Sequence, residues 1–182
     1  MTIQFRKYHA LGNDYIVIDP RDIGFTPLPE AIRAICDRNT GAGSDGILLG
    51  PLASKDDRRG LTVDSFGAAN SFGAAESPWL RIFNPDGSEA EKSGNGLRIF
   101  AKYLFEKKYV KSKSFRIKTL GGIVDVQVQD KTASLIRINM GRVTFTSTEI
   151  PVAGPKREVV NEPLDINGTK HEVTCLSIGN PH

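Results

Sequence analysis

Apolar side chains between Gly94 and Val110 recur at helical spacing, and this is the strongest helical pattern in the chain. The apolar stripe consists of Leu97, Phe100, Ala101, Leu104 and Phe105, widened by Ile99 and Tyr103. Arg98, Lys102 and Glu106 share the opposite edge at four-residue spacing. A stripe of this width predicts a helix that is largely enclosed by other elements of the fold.

Apolar positions elsewhere form short runs or alternate with polar residues, which is typical of β-strands. Strands are predicted at 3–7, 15–18, 47–49, 80–83, 114–119, 123–129, 135–139 and 173–178. A shorter helix is predicted over 28–38, with Pro29 in its first turn. Gly121 and Gly122 predict a hairpin turn. Many short strands around one long apolar helix indicate an α+β domain whose sheet wraps around that helix.

The segment 51–78 differs from the rest of the chain. It contains a tandem near-repeat, in which Ser65–Asn70 is followed by the similar Ser71–Glu76. Small residues and glycines at this density predict a mobile loop insertion rather than a packed element. No function is assigned to it.

Composition excludes several classes of protein. With 182 residues, 39% hydrophobic and 25% charged, the chain is typical of a globular protein with one ordinary domain or two small ones. A net charge of +3 from 24 basic and 21 acidic residues is too even to indicate a nucleic-acid partner. No segment approaches the roughly 20 apolar residues of a membrane span.

Cysteine content and the N-terminal residues indicate the compartment. Cys36 and Cys175 are too few for a disulfide framework, and the first residues lack the features of a secretory signal. We therefore expect a cytoplasmic protein. The sequon at Asn167–Thr169 would then be a turn and not a glycosylation site.

Gly41–Gly46 fits the glycine pattern of dinucleotide-binding folds, but its context is reversed. A predicted helix precedes it and a predicted strand follows, whereas phosphate binding requires a strand, the glycines and then a helix N-terminus. We interpret these glycines as a tight turn or a close approach of the backbone.

The segment Phe83–Gly96 leads from a strand through a polar turn into the enclosed helix. Amides at Gly94, Asn95 and Gly96 would be unpaired in the first turn, where the positive end of the helix dipole favours an anion such as a carboxylate. The same residues fit a purely local structure, with Ser93 or Asn95 as helix cap and Asp86-Gly87 as turn. Composition leaves both interpretations open.

Four blocks taken together resemble the diaminopimelate epimerase family. They are Ala10–Tyr15, Cys36–Gly46, Asn84–Gly96 and Gly179–His182, and they appear in the order of the family. The resemblance implies a lobe of mixed strands forming a small barrel around a central helix. It makes residues 1–182 one N-terminal lobe and implies a second, C-terminal lobe of roughly another hundred residues. The family's active site lies in the cleft between its two lobes.

The resemblance also implies a reaction. Family members invert the α-carbon of an amino acid without pyridoxal phosphate, using a base on one face and an acid on the other. No cofactor and no metal are expected. Residues at the family's substrate-binding positions are Asn13, Asn84, Gly94, Asn95 and Asn180. His182 matches a histidine that assists catalysis, and Gly46 stands where many members have glutamine.

Ser93 departs from the family, which has a catalytic cysteine at this position. A helix N-terminus contributes at most about 2 kcal/mol, or about 1.5 pKa units, which cannot make an aliphatic hydroxyl a base near neutral pH. A neighbouring base could activate it, as in serine–histidine pairs, and His182 is the candidate that the family pattern provides. Cys36 and Cys175 are expected to be small buried side chains that do not replace the thiol.

Three hypotheses remain open on the sequence. The first is an epimerase that interconverts LL- and meso-diaminopimelate in the synthesis of lysine and peptidoglycan precursors, with Ser93 and His182 as catalytic residues. The second is a related cofactor-independent isomerase or racemase of another small acid, and the third is an inactive fragment or binding lobe. We expect a small amino-acid substrate, a homodimer of the full-length protein, and no epimerase activity from these 182 residues alone.

Overall fold

The computed structural model describes residues 4–23, 27–52, 77–179 and 181–182. Most of the predicted loop at 51–78 therefore lies outside the described residues. Its first two residues, Pro51 and Leu52, belong to a strand, so the loop was predicted to begin too early. The chain divides into two compact units, Met1–Asn139 and Met140–His182.

The first unit is built on one mixed sheet of eight strands. The strands are β1 (Arg6–Ala10), β2 (Asn13–Ile18), β3 (Ile47–Leu52), β4 (Trp79–Phe83), β5 (Glu89–Ala90), β6 (Ser114–Thr119), β7 (Gly122–Val128) and β8 (Ile136–Asn139). Their order is β1-β2-β3-β4-β6-β7-β8, and β5 pairs with β4. The β2–β3 and β4–β6 pairs are parallel and the others antiparallel.

Helix α2 (Gly94–Glu106) is the element around which this sheet curves. It packs against β1, β2, β3, β7 and β8. Its apolar stripe is buried, with Leu97, Phe100 and Leu104 at 0% exposure. The predicted α+β fold, a sheet forming a half-barrel around one enclosed helix, is therefore confirmed. The helix ends before the predicted Val110 because the backbone turns at Lys108, whose φ is +60°.

Two shorter helices precede the central one. A 3₁₀ turn spans Pro20–Asp22, and α1 spans Pro29–Cys36, two residues short of the predicted end. The helices of the described residues are all too short or too polar to cross a membrane.

The second unit contains a two-stranded antiparallel hairpin and a 3₁₀ turn at Ser147–Glu149. Its strands are β9 (Glu162–Ile166) and β10 (Thr169–Val173). The predicted strand at 173–178 was thus placed too late. Asn167 and Gly168 form the hairpin turn at positive φ, +51° and +83°, which fixes the pairing and confirms that the sequon is a turn.

A buried carboxylate ties the end of β2 to the helix α2. Asp19 is 3% exposed and accepts hydrogen bonds from the hydroxyls of Tyr103, at 2.7 Å, and Tyr109. Arg21 donates to both oxygens of the same carboxylate, from Nε at 3.2 Å and Nη2 at 3.0 Å. Because a buried charge is tolerated only when it is paired and hydrogen-bonded, these partners are interdependent.

We expect Tyr103→Phe to lower the free energy of unfolding by about 2 kcal/mol, since it removes a donor to a buried charge without changing the ring. Tyr8→Phe is the matched control: its hydroxyl bonds Glu106 at an exposed position, at 2.9 Å, and should cost less than about 1 kcal/mol. Urea denaturation of both variants measures the difference. Equal losses would contradict the larger cost expected for removing a donor to the buried Asp19 carboxylate.

Candidate active site

Ser93 is the N-cap of α2, in an extended conformation with φ −142° and ψ 117°. Its Oγ accepts the N–H of Gly96 at 3.0 Å, and its carbonyl accepts the N–H of Leu97 at 2.8 Å. Within the described part of the chain, the N–H groups of Gly94 and Asn95 have no hydrogen-bond partner. The two interpretations left open by the sequence therefore coexist: Ser93 caps the helix, and two amides remain available to an anion at its positive end.

A second hydroxyl lies next to Ser93. Tyr15 Oη is 3.1 Å from Ser93 Oγ, and either oxygen can be the donor. Tyr15 belongs to β2, and only 7% of the residue is exposed. Sequence reasoning missed this residue. Its position at the end of the Ala10–Tyr15 block was the available signal, but only the packing of β2 on α2 makes it a neighbour of Ser93.

Two of the predicted substrate-binding residues meet at this helix start. Asn95 Nδ2 donates to Asn13 Oδ1 at 3.2 Å, and Arg98 donates to Asn95 Oδ1. Asn13 Nδ2 donates in turn to Asp45 Oδ2 at 2.9 Å. The orientation of both amide groups is therefore fixed by their charged neighbours, Asp45 and Arg98.

A charged cluster holds the glycine-rich turn against β2. Arg38 contacts Asp14 at 2.6 Å and Asp45 at 2.7 Å, while Lys7 Nζ contacts Asp14 at 3.0 Å and the Gly43 carbonyl at 2.6 Å. The hydrogen bond from Arg38 lowers the pKa of Asp14 far below its ordinary value, against a smaller opposing effect of burial. Asp14 is therefore ionised at neutral pH and serves as a fixed anchor for this turn.

The glycine-rich turn has the reversed context that the sequence indicated, since α1 precedes it and β3 follows. At Gly41 a Cβ would be 2.0 Å from the carbonyl oxygen of Ala34, so the chain passes α1 too closely for any side chain. At Gly46 a Cβ would be 2.4 Å from the carbonyl oxygen of Phe83 and 2.8 Å from Tyr15 Cε1. The missing side chain at Gly46 thus makes room for the Tyr15 ring.

The remaining predicted site residues are Asn84, Asn180 and His182. Asn84 follows β4, and its side chain donates to Ser88 Oγ at 3.0 Å within the turn that leads to β5. Asn180 lies outside the described residues. His182 belongs to the second unit, where it is exposed and its backbone N–H and carbonyl pair with those of Leu176, at 2.8 and 3.0 Å.

The two cysteines of the chain are both free and differ in burial. Cys36 is 4% exposed at the end of α1, and burial raises the pKa of its thiol, which keeps it protonated. It is the small buried side chain that was predicted. Cys175 is half-buried and lies after the end of β10. The prediction of a strand at 173–178 was therefore wrong for this residue.

The family model of diaminopimelate epimerase matches residues 5–146, which is most of the chain. The chain belongs to the diaminopimelate epimerase family. A curated relative, "Diaminopimelate epimerase 2" of Nostoc sp. (strain PCC 7120 / SAG 25.82 / UTEX 2576), is 49% identical over 180 residues, which are 99% of this chain and 56% of that protein. The diaminopimelate epimerase of Pelotomaculum thermopropionicum is 37% identical over 185 residues, 99% of this chain and 59% of the relative.

Solved structures share the fold of this diaminopimelate epimerase family member. A probable proline racemase from Agrobacterium radiobacter K84 superposes with a TM-score of 0.61 at 16% identity, over 96% of this chain and 49% of the racemase. A hydroxyproline epimerase from Agrobacterium vitis gives 0.59 at 14% identity, over 94% of this chain and 48% of that chain. The chain thus spans little more than half the length of the curated relatives and about half that of these structures.

Proposed function

We propose that the protein containing this chain is a pyridoxal-phosphate-independent epimerase that interconverts LL- and meso-diaminopimelate. Family membership supports the reaction, and the names of the relatives support the substrate. The single observation in the fold that supports it best is the start of α2. There a proton-bearing hydroxyl on Ser93 adjoins two helix amides, at Gly94 and Asn95, without partners among the described residues.

In this proposal the open amides at the start of α2 bind the substrate carboxylate next to the reacting α-carbon. The helix dipole favours negative charge there, both on the carboxylate and on the carbanion-like centre that forms when the α-proton leaves. Asn13 and Asn95 contribute oriented amide groups beside it. Asn84 and Asn180 remain substrate-binding candidates on the resemblance alone.

Ser93 is the proposed acid or base on one face of the α-carbon, and the opposite face requires a second group from the rest of the protein. An aliphatic hydroxyl is a weaker acid than the thiol of the family, so Ser93 requires a partner that supplies or receives a proton. His182 remains a proposed assisting residue, on the basis of the family pattern.

The test is exchange of the substrate α-proton with solvent. We expect the full-length protein, incubated with LL-diaminopimelate in deuterated water, to form meso-diaminopimelate and to lose the α-proton signal in the NMR spectrum without added pyridoxal phosphate. Proline and hydroxyproline serve as control substrates, because proteins of the same fold are named for them. The absence of both exchange and epimerisation with diaminopimelate would refute the proposal.

A cytoplasmic location and a homodimer of the full-length protein are part of the same proposal. Light scattering of the full-length protein measures its mass in solution. A monomer at micromolar concentration would contradict the dimer and leave the proposed reaction unaffected.

A further inference from the structure

The hydrogen bond between Tyr15 and Ser93 gives the serine a proton partner within the first unit. We propose that Tyr15 is a relay partner of Ser93, so that a tyrosine–serine pair carries out the proton transfer for which the family uses one thiol. This inference rests on the proposed function, because it concerns one acid–base group of that reaction. It begins from the 3.1 Å distance between the two hydroxyl oxygens.

The hydrogen bonds around Ser93 leave one proton of the pair for a ligand. Ser93 Oγ has two lone pairs and one proton, and one lone pair accepts the Gly96 N–H at 3.0 Å. If Tyr15 donates to the other lone pair, the Ser93 proton is free to point away from both neighbours. In that arrangement the Gly96 N–H and the Tyr15 hydroxyl occupy both lone pairs of the serine oxygen, and the Ser93 proton is left for a ligand.

The transfer balances in atoms and charge. The α-carbanion, formed by a base on the opposite face of the substrate, takes the Ser93 proton, so that a C–H bond forms and the serine O–H bond breaks. Ser93 Oγ takes the Tyr15 proton at the same time, and the negative charge ends on the phenolate oxygen. A phenol has a reference pKa of about 10, well below that of an aliphatic alcohol, so the relay avoids a serine alkoxide. The reverse direction passes through the same steps.

Packing around Tyr15 supports this assignment independently of the hydrogen bond. The ring lies where a side chain at position 46 would otherwise stand, since a Cβ on Gly46 would be 2.8 Å from Tyr15 Cε1. Tyr15 is 7% exposed, and Ser93, which its hydroxyl contacts, is half-buried.

A double-mutant cycle in the full-length protein tests the relay. Tyr15→Phe keeps the ring and removes the proton, and we expect it to lower kcat about 100-fold when residue 93 is serine. Ser93→Cys supplies a group that is acidic enough on its own, so in that background the loss caused by Tyr15→Phe should be at least about tenfold smaller. A purely structural role of Tyr15 would give equal losses in both backgrounds and overturn the proposal.

Two further measurements keep the outcomes distinct. Tyr8→Phe is the matched control, because Tyr8 is the cross-strand partner of Tyr15 and its hydroxyl bonds Glu106. We expect Tyr8→Phe to leave kcat unchanged in both backgrounds. If neither the Ser93 nor the Ser93→Cys protein exchanges the α-proton, the proposed function fails and the relay with it. Active parents with equal Tyr15→Phe losses refute the relay alone.

Discussion

In the full-length protein, Ser93→Gly should lower kcat for the proposed diaminopimelate epimerisation by about 10³-fold, which is within the range that a positioned acid or base contributes. The variant removes the hydroxyl that caps α2 beside the two open amides. Glycine is chosen because it is a tolerated N-cap, so helix stability should fall by only a few tenths of a kcal/mol, approximately. Steady-state kinetics and thermal unfolding of the same preparation measure both effects.

The kinetic signature separates proton transfer from substrate binding. Because the amides of Gly94 and Asn95 belong to the backbone, they remain in place in Ser93→Gly, and KM should change by less than about threefold. Ser93→Cys provides the opposite comparison, since the helix N-terminus favours a thiolate, and its kcat should equal or exceed that of the parent. A large rise in KM with unchanged kcat in Ser93→Gly would show that the serine binds substrate and does not transfer a proton.

Gly46→Ala should destabilise the first unit by about 3 kcal/mol, the upper end of the range for overpacking a tightly packed site. The new methyl group would stand 2.4 Å from the Phe83 carbonyl oxygen and 2.8 Å from the Tyr15 ring. The carbonyl belongs to β4, whose Phe83 is in register with Ile47 of β3, so it cannot shift without disturbing the sheet. The ring must therefore move, and its hydroxyl should separate from Ser93 Oγ.

The Gly46→Ala variant should therefore be less active as well as less stable than the parent. Its kcat should remain low even at temperatures where the variant is fully folded. Gly168→Ala is the control, because Gly168 has φ +83° and no atom within 4 Å of the added Cβ. That change should cost only the backbone strain, about 1 kcal/mol, and leave kcat unaltered. A Gly46→Ala protein with the stability and kcat of the parent would contradict the packing described for Tyr15.

Local sequence determined a large part of this fold. The spacing of apolar residues predicted the enclosed helix to within four residues of its end, because a buried face must repeat at helical period whatever its partners are. Alternation and the Gly121-Gly122 pair likewise predicted β6 and β7. Some errors were at boundaries, and β5 and β9 were not predicted. The predicted strand at 173–178 failed because the Asn167-Gly168 turn fixes the hairpin earlier in the chain.

In the candidate site, too, the local features could be predicted from the sequence and the long-range contacts could not. Ser93, Gly94 and Asn95 could be identified from sequence because a helix start is a local structure, defined by a cap and a few consecutive amides. The pairing of Tyr15 with Ser93, 78 residues apart, and of Asn13 with Asn95, 82 apart, could not. These contacts depend on the place of β2 in the sheet and on its packing against α2. The sequence by itself determined where an anion and a proton donor could lie. Only the tertiary structure decided which side chain forms a hydrogen bond with the Ser93 hydroxyl.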